Sequence, residues 1–365
     1  MSLPRLSRQS LHLVLRAGRD LHALTSMDIS RLFYPSREEA KAAETKSKED
    51  SSLRVGKGSL PVPSIYYSPL RSPVSELASD RLKDAFALFG KSKVLCSDAG
   101  GFATMYNAES HSFLSVPELN SPKGARYIAI SIPHVDSAMF GDKLRGNHTD
   151  SLYMMAMVPG ELCSFEMLAY YPKSRWRWRP LPPPPFHSDP KYRTPDSIPF
   201  ALVGGTRILV SSDRATYSFD TVAMEWSKAG DWVLPFLSKL EYDTELKMWF
   251  GISTRSPCGE LCAVDLSAVA LGSCDELPVV QHVGLDVDLP QKYWKLMDAA
   301  VVNLGSGRFC IARFFVVVDD HDEYQSHAVV FTGVEVAPSH EEEGVLSMVN
   351  HKSECLVTDE IEQVL

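Results

Sequence analysis

Tyr217-Ser-Phe-Asp-Thr-Val-Ala-Met-Glu-Trp226 is the stretch whose reading decides the fold. An apolar run ends at Phe219, Asp220 opens a turn, and Trp226 follows six residues after that Asp. The same frame recurs at Met105-Tyr-Asn-Ala-Glu-Ser-His-Ser-Phe113, with Asn107 in the turn and Phe113 six residues later. It recurs at Ala169-Tyr-Tyr-Pro-Lys-Ser-Arg-Trp-Arg-Trp178, where Pro172 and Trp178 hold the two positions. A weaker copy, Cys262-Ala-Val-Asp-Leu-Ser-Ala-Val-Ala-Leu271, places Asp265 and Leu271 there. The frame is a hairpin. Asp, Asn and Pro favour turns for distinct backbone reasons, and the large residue six positions on re-enters the sheet facing the core.

Turn positions 107, 172, 220 and 265 lie 65, 48 and 45 residues apart. Intervals of that size fit one four-stranded propeller blade, with an insertion in the first. The preceding runs, such as Arg207-Ile-Leu-Val-Ser-Ser and Trp249-Phe-Gly-Ile-Ser, have strand length and end at Gly or Asp. A hairpin about Gly18 and the apolar runs between Asp298 and Val349 add blades at the two ends. The expected fold is all-β: a kelch-like β-propeller of about six four-stranded blades. Because a ring must close, strands from the N- and C-terminal segments are expected to share a blade. A single domain is expected over 11–350, between an N-terminal tail at 1–10 and a C-terminal tail at 351–365. Within it, 36–60 reads as a charged flexible insertion and 180–198 as a Pro-rich connection.

Three segments carry a family resemblance: Phe219-Asp-Thr-Val-Ala-Met-Glu-Trp-Ser-Lys-Ala-Gly-Asp-Trp-Val-Leu-Pro-Phe236, Met27-Asp-Ile-Ser-Arg-Leu-Phe-Tyr-Pro35 and Trp178-Arg-Pro-Leu-Pro-Pro-Pro-Pro-Phe186. The chain resembles, over about residues 11–350, a grass-expanded plant family of unknown function with kelch-like propeller repeats. The resemblance implies a fold and no reaction. Gly204-Gly205 is the one double glycine correctly spaced ahead of a Tyr and a Trp, Tyr217 and Trp226.

Composition narrows the function classes. Hydrophobic residues make up 44% and charged residues 23%, which excludes wholesale disorder. A formal charge of −9 argues against general phosphate-backbone binding, which needs a basic surface. No stretch approaches a membrane span, so no membrane partner is expected. Seven scattered cysteines read as reduced thiols of a cytoplasmic or nuclear protein. A rival reading takes the Arg- and Ser-rich residues 1–19 as an organellar transit peptide.

Candidate sites are few. Lys173-Ser-Arg-Trp-Arg-Trp-Arg179 interleaves arginines with tryptophans, as a nucleic-acid stacking patch does. Strand alternation instead puts Trp176 and Trp178 on one face and Arg175, Arg177 and Arg179 on the other. Those three arginines form the possible interaction patch. Cys258-Gly-Glu-Leu-Cys262 with Cys274 offers three thiolates, but the spacing is loose and a fourth ligand is missing, so core cysteines are the favoured reading. Asp319-Asp-His-Asp-Glu323 reads as a solvated hairpin loop, because a contiguous run seldom converges on an ion. Asn147-His-Thr149 matches a glycosylation sequon by chance if the thiols are reduced. No metal, cofactor or catalytic residue is assigned.

The expected function is a non-enzymatic scaffold, acting as a monomer, for an unknown protein or peptide partner. One alternative is a propeller hydrolase or lyase with a loop-built site at the central channel. A second is RNA binding through residues 175–179.

Overall fold

Runs such as Ile208-Leu-Val210 and Phe309-Cys-Ile-Ala312 are apolar without alternation, so the strands that carry them need cover on both faces of the sheet. A computed structural model shows where that cover comes from. It describes residues 6–18, 20–50, 55–70, 83–133, 150–160, 163–171, 175–255, 259–269, 272, 276–284, 293–321, 323–339 and 342–365. Six antiparallel sheets succeed one another and form a six-bladed β-propeller.

Blade one pairs Ser10–Gly18, Leu21–Asp28 and Ile65–Tyr67 with the C-terminal strand Ile361–Val364. Blade two holds Ala85–Phe89, Lys93–Ser97, Ala103–Asn107 and Ser112–Ser115. Blade three holds Tyr127–Pro133, Asp150–Ala156, Phe165–Tyr171 and Arg175–Pro180. Blade four holds Phe200–Val203, Arg207–Ser211, Thr216–Asp220 and Glu225–Gly230. Blade five holds Glu241–Asp243, Met248–Ile252, Leu261–Val264 and Val280–Gly284. Blade six is built from the long strands Trp294–Gly305, Arg308–Val318, Tyr324–Pro338 and Leu346–Val357.

One apolar cluster fills each interface between neighbouring blades, which is why each sheet is apolar on both faces. Val14 and Leu24 of blade one meet Phe86, Val94 and Tyr106 of blade two. Leu95 and Met105 of blade two meet Leu168 and Trp178 of blade three. Phe165 and Met167 of blade three meet Ile208 and Phe219 of blade four. Leu209 of blade four meets Trp249 and Val264 of blade five. Phe250 and Leu261 meet Phe309 and Ile311 of blade six. Cys310 and Phe331 close the circle against Leu11 and Leu13 of blade one. Each such fully buried side chain contributes about 1.5–3 kcal/mol relative to exposure.

The ring closes as a ring must. Ile361–Val364 takes the position in blade one that the first strand takes in blades two, four and five, so the two ends of the chain share a sheet. The pairing sets Leu13 opposite Val364 and Leu15 opposite Ile361, across a register shift between Val14 and Leu15.

Two expected non-strand segments are structured. Residues 36–60, expected as a flexible insertion, contain a helix α1 (Arg37–Asp50) and the strand Val55–Lys57. That strand adds to blade six as a fifth, parallel member beside Leu346–Val357. Residues 351–365, expected as a tail, complete the fourth strand of blade six and supply the closing strand of blade one. Charge-rich composition hid both, because their ordering comes from partners remote in sequence. Residues 181–198 hold a single 3-10 turn, Pro185–Ser188, and no strand.

The insertion that leaves blade one after Asp28 therefore reaches back over blade six. Glu335 is its anchor, with Arg37 Nη1 3.2 Å and Arg308 Nε 3.3 Å away. His351 Nδ1 accepts the Tyr34 amide at 3.1 Å, and its Nε2 stands 3.6 Å from Glu335. Gly333 lies where this segment crosses the sheet. A Cβ there would stand 2.6 Å from the Leu32 carbonyl oxygen, so only glycine admits the approach.

Candidate functional site

The recurring frame is the hairpin between the third and fourth strands. Asn107 Oδ1 accepts the amides of Glu109 and Ser110, and Asp220 Oδ1 those of Val222 and Ala223. Asp265 Oδ1 accepts the amide of Ser267 at 2.8 Å. These are Asx turns, in which a short acceptor side chain stands in for a backbone carbonyl. Pro172 and Leu271 lie outside the described residues.

The re-entering aromatics have a task that sequence spacing did not reveal. Trp178 donates its indole N–H to the Pro117 carbonyl at 3.0 Å, and Trp226 donates to Pro182 at 2.9 Å. Each tryptophan thus ties its blade to the connection entering from the preceding blade. Phe113 departs from the expectation: it is 58% exposed, and the core position belongs to Tyr106, whose ring centroid lies 5.4 Å away. Phenylalanine has no donor with which to hold a connection, and the strand Ser112–Ser115 is largely open to solvent.

On the outermost strand of blade three the expected alternation is present. Arg175, Arg177 and Arg179 are exposed, Trp176 is half-buried and Trp178 is buried. Trp176 packs edge-on against Phe89 and Tyr170, with centroids 5.5 and 5.4 Å away. Arg175 has φ +61°, an uncommon backbone value for a non-glycine residue at the start of a strand. Among the described residues none of the three guanidinium groups makes an ion pair. Among the described strands it is the edge of its sheet, so one side of its backbone has no ladder partner among them.

A second cluster lies on blade five. Cys262, in the third strand, faces His282, in the fourth, as a cross-strand pair. His282 Nδ1 is 3.6 Å from Cys262 Sγ and 2.5 Å from Glu260 Oε2. Burial first, then the Glu260 carboxylate, pushes the Cys262 thiol up to about 11. Cys258 and Cys274 lie outside the described residues. The metal-ligating groups described beside Cys262 are therefore an imidazole and a carboxylate. Sequence reading missed them because strand pairing, not spacing, brings His282 to a residue 20 positions away.

The Asp319–Glu323 segment folds on itself. Asp319 Oδ1 accepts the amides of His321 and Glu323, both at 2.9 Å, while Asp322 lies outside the described residues. Asn147–Thr149 lies outside them as well.

A family model described as "Protein of unknown function (DUF1668)" matches residues 8–356, from the first blade to the last strand of the sixth. The chain belongs to the DUF1668 family. No curated protein matches this DUF1668 chain. Among solved structures, a protein from Lactobacillus plantarum is 11% identical, with 74% of this chain and 87% of that one covered and a TM-score of 0.36. A quinonprotein alcohol dehydrogenase-like protein from Bacteroides thetaiotaomicron is 10% identical, with 97% and 68% covered and a TM-score of 0.36. The extracellular domain of a one-component system from B. thetaiotaomicron is 8% identical with a TM-score of 0.35. There 95% of this chain is covered, and the chain spans 40% of that protein's length. Likenesses this distant carry no functional argument. Among the described residues of the DUF1668 propeller, no helix is long and apolar enough to cross a membrane.

Proposed function

We propose that this propeller is a non-enzymatic platform that binds an extended acidic segment of a protein partner along the outer edge of blade three. The observation that carries the reading is the row Arg175, Arg177 and Arg179. All three are exposed on an edge strand whose opposite face is anchored by Trp176 and Trp178. An extended peptide adding to that edge would run along its outer side, while its carboxylates met guanidinium groups spaced two residues apart. RNA is disfavoured as the occupant because the chain as a whole is acidic, with a formal charge of −9. The reading takes the chain as a monomer of the cytoplasm or nucleus. In its support, the five described cysteines, Cys96, Cys163, Cys262, Cys310 and Cys355, are all free thiols.

The test is fluorescence anisotropy with a labelled glutamate-rich peptide and a labelled single-stranded RNA of similar length. Saturable peptide binding, weakened at least about tenfold by the triple change of Arg175, Arg177 and Arg179 to Ala, is expected, equivalent to ~1.4 kcal/mol or more. Peptide binding indifferent to the triple change overturns the reading. RNA binding that the triple change abolishes replaces it with nucleic-acid recognition.

A further inference from the structure

Three donor atoms of different chemistry converge on blade five. Glu260 Oε2, Cys262 Sγ and His282 Nδ1 all lie within 4.8 Å of one another. Two explanations compete for such a thiol, imidazole and carboxylate. A nucleophile relay uses the two nitrogens of one imidazole for two different partners, one facing the thiol and the other facing the carboxylate. Here the same nitrogen, Nδ1, faces both Cys262 and Glu260. A single nitrogen cannot orient on one partner while taking a proton from the other, so the relay is excluded by geometry. Convergence of three ligand atoms about one point is instead what a cation requires.

We propose that Glu260, Cys262 and His282 form a binding site for a divalent transition metal, with zinc as the best match. Zinc accepts sulfur, nitrogen and oxygen donors together, at about 2.3, 2.0–2.1 and 2.0–2.2 Å. In a tetrahedral arrangement those bond lengths put a sulfur and a nitrogen roughly 3.6 Å apart, from the same geometry. The Cys262–His282 separation is 3.6 Å. Glu260 and His282 stand closer, at 2.5 Å, as a hydrogen-bonded pair does. The ion replaces the proton between them, and the carboxylate moves back by less than 1 Å.

The surroundings support a fixed site. Cys262 and His282 are held by the strand ladder, next to a register shift between Leu261 and Cys262. The loop bearing Glu260 is closed by bonds from the Ser253 amide to the Glu260 carbonyl and from the Gly259 amide to the Ser253 carbonyl, at 2.9 and 3.0 Å. The buried Arg313 of blade six donates to the Gly259 carbonyl, one residue before the carboxylate ligand. Three protein ligands leave the fourth tetrahedral position to water or to an entering group. His282 opens onto a groove of about 270 Å³ lined also by Pro235, Ser253, Arg255, Val279 and Val280. That groove supplies the approach. This site is separate from the arginine row of blade three, so either proposal stands without the other.

The test uses cobalt(II) as a spectroscopic probe of the full-length, tag-free protein, with zinc competition. Expected is one equivalent of cobalt, with a thiolate-to-cobalt charge-transfer band and the intense visible bands of a tetrahedral ion, both abolished by one equivalent of zinc. His282→Gln, at a half-exposed position, and Glu260→Gln should each weaken binding at least about tenfold, the lower end for loss of even an outer-shell partner. Cys262→Ser should remove the charge-transfer band. Because Cys262 is buried, far-UV circular dichroism of that variant accompanies the titration, and His282→Gln serves if it fails to fold. Absence of the charge-transfer band in the wild-type protein overturns the proposal. So does a band that survives both His282→Gln and Glu260→Gln.

Discussion

His22 Nδ1 lies 2.7 Å from Glu362 Oε2, and this contact joins the third strand of blade one to the strand that closes the ring. The other ring nitrogen of His22 lies 2.8 Å from Asp84 Oδ2, at the entrance to blade two. Arg16 Nε donates to the second oxygen of Glu362, also at 2.8 Å. The imidazole also stacks edge-on with Phe86, at a centroid distance of 4.9 Å. One side chain thus holds the C-terminal strand, the first hairpin and the second blade together.

The seam makes stability depend on pH with a definite sign. Burial pulls the His22 imidazole down, but its bonds to Asp84 and Glu362 outweigh that and raise it to about 9 from 6.5. A raised histidine contributes stability that is fully present below pH 6.5 and is lost as pH rises through about 9. The unfolding free energy of His22→Gln should fall below wild type by about 1–2 kcal/mol at pH 6.5, after discounting for solvent screening. The deficit should shrink toward pH 9.5. Urea unfolding at pH 6.5, 8 and 9.5 checks this, and a pH-independent deficit would contradict it.

Glu335 should govern the acid limb. The His351 imidazole lowers it, burial opposes, and the Arg308 and Arg37 charges assist, leaving it at about 2. A depressed carboxylate contributes stability present above pH 4.5 and lost as pH falls through about 2. Glu335→Gln should therefore flatten the loss of stability between pH 4.5 and 2.5, as read by fluorescence-monitored unfolding.

Lys123 and Glu166 form an ion pair with both side chains fully buried, 2.5 Å apart. Lys123→Met alone leaves an unpaired buried carboxylate and should cost about 3–5 kcal/mol. The double change to Lys123→Met and Glu166→Leu should recover part of that loss. The recovery should be incomplete, because Asn120 also donates to Glu166 through its amide and its side chain. Denaturant midpoints across the double-mutant cycle give the coupling.

Trp226→Phe keeps a ring against Phe219 but removes the donor to Pro182, and should cost about 1 kcal/mol. Gly333→Ala should cost about 1–3 kcal/mol, since its Cβ meets the Leu32 backbone rather than a side chain that can rotate away. Hydrogen exchange should then show the amides of Val55–Lys57 exposed in the Gly333 variant and protected in the Trp226 variant.

What the sequence determined by itself was local and periodic. The Asx turns at Asn107, Asp220 and Asp265, the strands before them and the Trp/Arg alternation at 175–179 depend on backbone preference and on period-two burial. Those signals were enough for a β-propeller of six blades closed by its two ends. Tertiary structure alone decided how the charged stretch after Asp28 lies across blade six, because its partners Glu335 and His351 are some 300 residues away. It alone decided that Phe113 stays outside while Trp178 and Trp226 hold the inter-blade connections. It alone placed His282 beside Cys262 and Glu260, since strand register carries no signature in the spacing of the residues it pairs.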